Sequence, residues 1–315
     1  MGFLSKQYES SGAGISKKAP KKKGFKLFGE IFIRKFWKLI EANMLYSIFF
    51  IPLVLAWICF VSNIFSTNAA LISGSICVLI FMILIGPATA GLTRVMRKYT
   101  LEKHSFIFSD FKKTFKNNFK QSAIIGFVDC IAAVSIVSGL YIYPRIASMY
   151  GSIMYFMMAI VLSVGITILI MNFYIFPMII ATDLSLKNII KNSFALACVA
   201  LKKNVITLLI TLAIYGLTAL MLLLNINFLF VLPFFPAAFV HFIICFNSYP
   251  IIQKYVINPY YESKGEVNPE LENASSENED DAIFEDKGGS EKPIENRKKG
   301  KGKICLLYTS PSPRD

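Results

Sequence analysis

The feature that most constrains this chain is a series of apolar runs, each long enough to cross a lipid bilayer as a helix. A hydrocarbon core of about 30 Å requires about 20 apolar residues in helical form. Six runs satisfy this and are predicted to be transmembrane helices: residues 44–63, 70–92, 123–144, 153–180, 205–224 and 228–247. Only 17% of the residues are charged, against about 25% in soluble domains. The sequence therefore predicts an integral membrane protein.

The positions of Lys and Arg predict the orientation of these spans. Of 33 such residues, 32 lie before the first span, after an even-numbered span, or in the C-terminal tail, whereas Arg145 alone lies on the other side. Cytoplasmic loops carry the excess of positive charge. We therefore expect a multi-pass protein of the cytoplasmic membrane with both termini in the cytoplasm. The opening MGFLSKQYES lacks a cleavable signal pattern, so the first span is expected to direct insertion.

Composition divides the chain into four segments. Residues 1–25 are a basic segment and 263–303 a charged, aromatic-poor tail, and both have the composition of disordered chain. The membrane domain covers residues 26–262. Residues 304–315 contain CLLYTSPSPRD, which resembles a translated sequencing-adapter read-through, so we assign them no biological role.

The membrane domain repeats one plan three times. Each unit has a basic amphipathic helix, an Asn at the membrane entry, a helical hairpin and a Pro near its end; these residues are Asn43 and Pro87, Asn118 and Pro177, Asn204 and Pro250. Convergence is the alternative, because any three hairpins need entry and exit signals. The pattern predicts an all-α protein with about six transmembrane helices, arranged as three helical hairpins linked by basic amphipathic interfacial helices.

The stretch IGPATAGLTRVMRKY combines a packing motif with a basic membrane exit. Small residues four apart share a helix face and permit close helix approach; the predicted motif is Gly86, Pro87, Ala90 and Gly91. Pro87 removes an N–H, and Thr89 is a candidate donor to a freed carbonyl. A packing joint accounts for the motif, and a transport gate is the alternative.

The basic exits and linking helices predict contact with anionic lipids of the inner leaflet or with a cytoplasmic partner. In SFIFSDFKKTFKNNFK the aromatic residues recur at three- and four-residue steps, with lysines on the remaining surface. This segregation disfavours nucleic acid as a partner. The predicted contact residues are Arg94, Arg97, Lys98, Lys112, Lys113 and Lys116.

Sequence motifs for catalysis or metal binding are absent from the chain. It has two histidines, no H-E-x-x-H, no G-x-S-x-G and no glycine-rich phosphate loop, and its six cysteines show no C-x-x-C pairing. We predict no catalytic residues, no metal and no cofactor. Asp129 and His241 lie within predicted spans and form a candidate intramembrane polar site. A packing role, in which Asp129 bonds to a neighbouring polar group, is the alternative.

Four separated stretches closely resemble one known family: APKKKGFKLFGEIFIRKFWKLIEANMLYSIFFIPLV, IGPATAGLTRVMRKY, SFIFSDFKKTFKNNFKQS and NSYPIIQKYVINPYY. This is the YesL-like family, domain of unknown function 624, whose members are multi-spanning membrane proteins of Gram-positive bacteria, especially clostridia and bacilli. The resemblance covers roughly residues 19–261. Its gene neighbourhoods imply a role accessory or regulatory to carbohydrate uptake, with transporter subunits as possible partners. The absence of catalytic motifs makes a non-enzymatic role the expectation. A small secondary transporter or channel using Asp129 is the alternative.

Overall fold

The computed structural model describes residues 24–61 and 66–268. All of them lie within one compact unit, Lys22–Leu271. The predictions for the basic N-terminal segment, the charged tail and residues 304–315 fall almost wholly outside the described residues.

The described residues are 89% helical and contain no strand, which confirms the predicted all-α membrane class. In chain order, the α-helices are α1 Phe25–Ser47, α2 Ile51–Val61, α3 Thr67–Thr100, α4 Ile107–Asn117, α5 Phe119–Tyr150, α6 Ile153–Ala181, α7 Leu186–Val199, α8 Leu201–Leu224, α9 Ala237–Ile252 and α10 Asn258–Lys264. Short 3₁₀ helices occupy Ile48–Phe50 and Ile226–Val231, and a π-helical turn occupies Gln253–Ile257.

Among the described residues, five helical stretches are long and apolar enough to cross a membrane. They are Phe25–Val61, Thr67–Thr100, Phe119–Tyr150, Ile153–Ala181 and Leu201–Leu224. These stretches contain the first five predicted spans, apart from residues 62 and 63, which lie outside the described residues, and extend beyond most of them. The first predicted interfacial helix and the first span form one continuous stretch of 37 residues. No Gly or Pro separates Ile40 from Met44, so nothing in the sequence breaks the helix there.

The sixth predicted span is not one helix. Helix α8 ends at Leu224, and the side chain of Asn225 accepts a hydrogen bond from the Asn227 N–H at 2.9 Å, which starts the short 3₁₀ helix. The last long helix, α9, begins only at Ala237 and has 16 residues. Pro233 and Pro236 lack the N–H that a helix interior needs, so the helix cannot run through them.

Helix α3 is the centre of the packing and contacts α1, α2, α4, α5, α6 and α9. The outward faces of the long helices are apolar; Val137 and Leu209, for example, are 67% and 61% exposed. Such faces are expected where the solvent is the acyl chains of lipids. Helices α4 and α7 connect the successive hairpins, as the repeat predicts.

Candidate functional site

The predicted packing motif lies where α3 crosses α5. A Cβ on Gly86 would lie 1.9 Å from the Ser122 carbonyl oxygen, and a Cβ on Gly126 would lie 2.5 Å from the Gly86 nitrogen. The two backbones therefore touch at a point where only glycine fits. Gly91 faces the Phe111 ring, and a Cβ on Gly91 would lie 3.0 Å from that ring. The same segment of α3 therefore also packs closely against α4.

Pro87 and Ala90 are buried in this joint, and α3 continues through Pro87 to Thr100. The Thr89 hydroxyl donates to the Ile85 carbonyl at 2.8 Å. It does not donate to the Ile83 carbonyl. In an uninterrupted helix that carbonyl would accept a hydrogen bond from the N–H of residue 87, which Pro87 lacks. Because the Thr89 proton is used in this way, the Tyr46 hydroxyl donates to the Thr89 oxygen, 3.0 Å away. Thr89 thus joins α3 to α1.

The three basic residues at the end of α3 have different environments. Arg97 is 7% exposed, stacks its guanidinium 4.5 Å from the centre of the Tyr249 ring, and donates a hydrogen bond to the Tyr249 hydroxyl. It is therefore enclosed by protein and not presented to lipid or a partner, contrary to its predicted contact role. Lys98 and Arg94 remain partly accessible.

An ion pair holds α4 against the end of α3. The Lys98 ammonium donates to both oxygens of Asp110, at 2.7 and 2.8 Å, and the Ser105 hydroxyl donates to the second oxygen at 2.7 Å. Burial acts to raise the pKa of the Asp110 carboxyl, but the hydrogen bonds from Lys98 and Ser105 and the charge of Lys98 outweigh it. The pKa of Asp110 therefore lies below its ordinary value, and the carboxylate is charged at neutral pH.

Helix α4 buries its apolar side and exposes its lysines. Ile107 and Phe111 are 6% and 3% exposed. The Phe49 ring stacks on the Phe111 ring with centroids 5.6 Å apart and packs at a tilt on the Phe115 ring with centroids 5.2 Å apart. The predicted contact residues Lys112, Lys113 and Lys116 are all exposed. The tertiary structure thus orients an 11-residue helix so that its cationic side is available.

Two adjoining pockets of about 460 and 500 Å³ lie between α4, the start of α5 and the end of α6. We call them together the basic cleft. Both are lined by Asn117, Asn118, Ile179, Thr182 and Asp183. The cationic side chains of the basic cleft are Arg94, Lys98, Lys113, Lys116 and Lys120, and its carboxylates are Asp110 and Asp183. Four of the predicted contact residues therefore meet in one concave site.

The two predicted intramembrane polar residues are not joined to each other. Asp129 in α5 accepts a hydrogen bond from the Asn172 amide in α6, at 2.8 Å. The His241 ring instead meets the Tyr46 ring edge-on, with centroids 6.2 Å apart. Among the described residues, no hydrogen bond or ring contact connects Asp129 to His241. Asn172 was missed by sequence reasoning, although a polar residue inside the apolar run ILIMNFYIF was a visible signal.

The entry residue Asn43 has a role that its sequence position did not reveal. Its amide nitrogen donates to the carbonyls of Leu232 and Pro233 at 2.8 and 2.9 Å, and its oxygen accepts from the Ala238 N–H at 2.8 Å. The two carbonyls belong to the irregular segment before α9, and the Ala238 N–H belongs to the first turn of α9. In a membrane such groups need internal partners, and Asn43, 1% exposed, supplies them.

Asn204 has a comparable role in the third repeat. It donates to the carbonyls of Leu196 and Ala197 at 3.2 and 2.9 Å and accepts a hydrogen bond from the Tyr174 hydroxyl at 2.5 Å. Asn118, between them in sequence, makes a longer local contact of 3.4 Å to the Thr114 carbonyl. Two of the three entry residues therefore join distant elements.

The helical architecture and the apolar spans define a multi-pass, all-α membrane protein. Residues 50–140 match the model of the family described as Protein of unknown function, DUF624. The YesL-like family is a DUF624 family, so this match fits the predicted family assignment. No curated protein and no solved structure matches the chain.

Proposed function

We propose that this is a non-enzymatic protein of the bacterial cytoplasmic membrane that assists or regulates carbohydrate uptake by contacting transporter subunits. The observation that carries the proposal is the fixed orientation of α4, with its apolar side buried and its lysines exposed. Its buried apolar side fixes the helix on α3, and Lys112, Lys113 and Lys116 project from the opposite side. A fixed cationic surface suits an acidic surface on a partner, because complementary charge guides encounter and orientation.

Two sequence features support the biological setting. The bias of Lys and Arg to one side of the spans supports an orientation with both termini, and this cationic surface, in the cytoplasm. The resemblance to the YesL-like family supports a Gram-positive, clostridial source and an association with binding-protein-dependent sugar transport. The same resemblance identifies no catalytic residues in the chain.

Cross-linking in a Gram-positive host, followed by purification of a tagged copy, tests the proposal. We expect permease subunits of a sugar transporter to be recovered with the native protein. Reversal of charge at Lys112, Lys113 and Lys116 to Glu is expected to abolish the recovery. The matched control reverses charge at three exposed lysines elsewhere: Lys187, Lys191 and Lys202. Equal losses in both variants, or no transporter subunit with the native protein, would contradict the proposal.

A second candidate function is a small secondary transporter or channel that uses Asp129. The observation that favours it is two sets of polar contacts between helices: Asp129 with Asn172, and Tyr46 with Thr89 and His241. Ionisable residues in membrane helices often lie on ion or proton pathways. Proton flux and sugar uptake into proteoliposomes test it. Flux that disappears in Asp129→Asn supports this function, and a protein that moves neither solute excludes these two transport activities.

A further inference from the structure

The charges of the basic cleft do not balance. Asp110 is already paired with Lys98 and accepts a further hydrogen bond from Ser105, so it has little capacity to neutralise other cations. Lys113, Lys116 and Lys120 make no hydrogen bond or ion pair with any residue that the structure describes, and all three are exposed at the cleft. Three ammonium groups therefore surround a concavity whose second carboxylate is Asp183.

The rest of the lining provides neutral hydrogen-bonding groups and an apolar wall. Asn117 and Asn118 line both pockets, and so does Thr182, directly after the end of α6. Ile179 and Phe119 add apolar surface. Pockets of this size class, which begins at about 300 Å³, hold small organic ligands.

We propose that the basic cleft binds a phosphate group of net negative charge. Lysine ammonium groups recognise phosphate as point charges and donate charge-assisted hydrogen bonds to its oxygens. The phosphate can belong to the headgroup of an anionic phospholipid or to a soluble phosphate compound, and both sources present the same chemistry to Lys113, Lys116 and Lys120. The site is separate from the proposed partner surface in one respect: Lys112 does not line the cleft, whereas Lys120 does.

Thermal unfolding of the purified full chain in a neutral detergent tests this site. A ligand that binds the folded state raises the unfolding temperature. Three additives are compared at equal ionic strength: inorganic phosphate, short-chain phosphatidylglycerol and short-chain phosphatidylcholine, with chloride as the reference. We expect phosphatidylglycerol, inorganic phosphate or both to raise the midpoint above the values in chloride and phosphatidylcholine. A shift with phosphatidylglycerol alone identifies a lipid headgroup, and a shift with inorganic phosphate identifies a soluble anion.

The cleft variant carries Lys113→Gln, Lys116→Gln and Lys120→Gln. Each lysine near an anionic surface contributes about a fivefold factor in affinity, so the variant is expected to bind about a hundredfold more weakly. The control variant carries Lys112→Gln, Lys187→Gln and Lys191→Gln, loses the same charge outside the cleft, and is expected to keep the native shift. If the triple cleft variant does not fold, Asn117→Asp places a carboxylate in the lining of both pockets and is expected to reduce the shift.

Two results would overturn the proposal: no additive exceeds chloride and phosphatidylcholine, or the cleft and control variants lose the shift equally. The assay contains no transporter subunit, so its outcome is independent of whether the proposed partner is correct.

Discussion

The side chain of Asn43 in α1 accepts a hydrogen bond from the backbone N–H of Ala238 at 2.8 Å, although the two residues are 195 positions apart in the chain. The contact holds the first turn of α9 against the C-terminal part of α1. Together with the hydrogen bonds from Asn43 to the Leu232 and Pro233 carbonyls, it gives partners to backbone groups in and beside the non-helical segment before α9.

Replacement of Asn43 by Ala is expected to destabilise the protein. It leaves the Leu232 and Pro233 carbonyls and the Ala238 N–H without their partner, and each buried unsatisfied group costs about 1–3 kcal/mol. We expect the free energy of unfolding in detergent to fall by at least about 2 kcal/mol. Asn118→Ala removes only a 3.4 Å local contact and is the control. Equal stability of the two variants would show that the Asn43 bonds contribute little.

Gly86→Ala is expected to disrupt the crossing of α3 and α5. The added methyl would lie 1.9 Å from the Ser122 carbonyl, so the helices must separate, and overpacking of this kind costs about 1–3 kcal/mol. The control is Gly216→Ala in α8, where no heavy atom beyond the adjacent backbone of the same helix lies within 4 Å of the new Cβ.

Thermal unfolding of both glycine variants in the same detergent measures the difference. Gly216→Ala is expected to be neutral or stabilising by up to about 1 kcal/mol, since alanine is the better helix former. A Gly86 variant as stable as the Gly216 variant would mean that the backbones do not touch at this point.

The Lys98–Asp110 pair is expected to give the protein an acid-sensitive element. The folded-state pKa of Asp110 lies below its ordinary value of 3.8, so its stabilisation is full above pH 3.8 and is lost as pH falls through the lower, folded value. The melting temperature of Asp110→Asn should therefore lie below that of the native protein at neutral pH. The gap should close under more acidic conditions.

Lys98→Met breaks the same pair from the other side and should show the same pH dependence. Melting curves of the native protein and Asp110→Asn that stay equally separated from neutral to strongly acidic pH would contradict this assignment.

Asn172→Leu is expected to destabilise the contact between α5 and α6, because it leaves the Asp129 carboxylate without its 2.8 Å partner. Interhelical hydrogen bonds in membranes have coupling energies of about 0.6 kcal/mol on average and up to about 1.7. Asp129→Leu with Asn172→Leu removes both polar groups, and the double variant should be more stable than the sum of the single effects predicts. A double-mutant cycle on unfolding in detergent measures this coupling, and strict additivity would contradict it.

The sequence predicted the long helices well because each one is determined locally. An apolar run of sufficient length forms hydrogen bonds within itself, and the lipid environment requires this of any spanning segment. The packing motif was also readable, since Gly86 and Ala90 share a face by helical spacing alone. In the same way, the spacing of Phe111 and Phe115 on one face of α4 predicted that the lysines would lie on the exposed face.

Other residues depended on partners that no local pattern reveals. Arg97 and Lys98 are neighbours in one basic exit, yet Arg97 is enclosed with Tyr249 while Lys98 pairs with Asp110. Hydropathy predicted that the segment before α9 is part of a transmembrane helix because the segment is apolar. Hydropathy takes no account of the backbone N–H groups that Pro233 and Pro236 lack.

The sequence by itself determined that this is an all-α membrane protein with long apolar helices, a glycine joint in α3 and cationic linking helices. Only the tertiary structure decided that Asn43 forms a hydrogen bond to α9 and that Asn172 donates a hydrogen bond to Asp129. It also decided that Lys113, Lys116 and Lys120 line one cleft. The physical reason is the range of the interactions: helix formation in lipid is satisfied within a few residues, whereas polar side chains find their partners on whichever helix packs beside them.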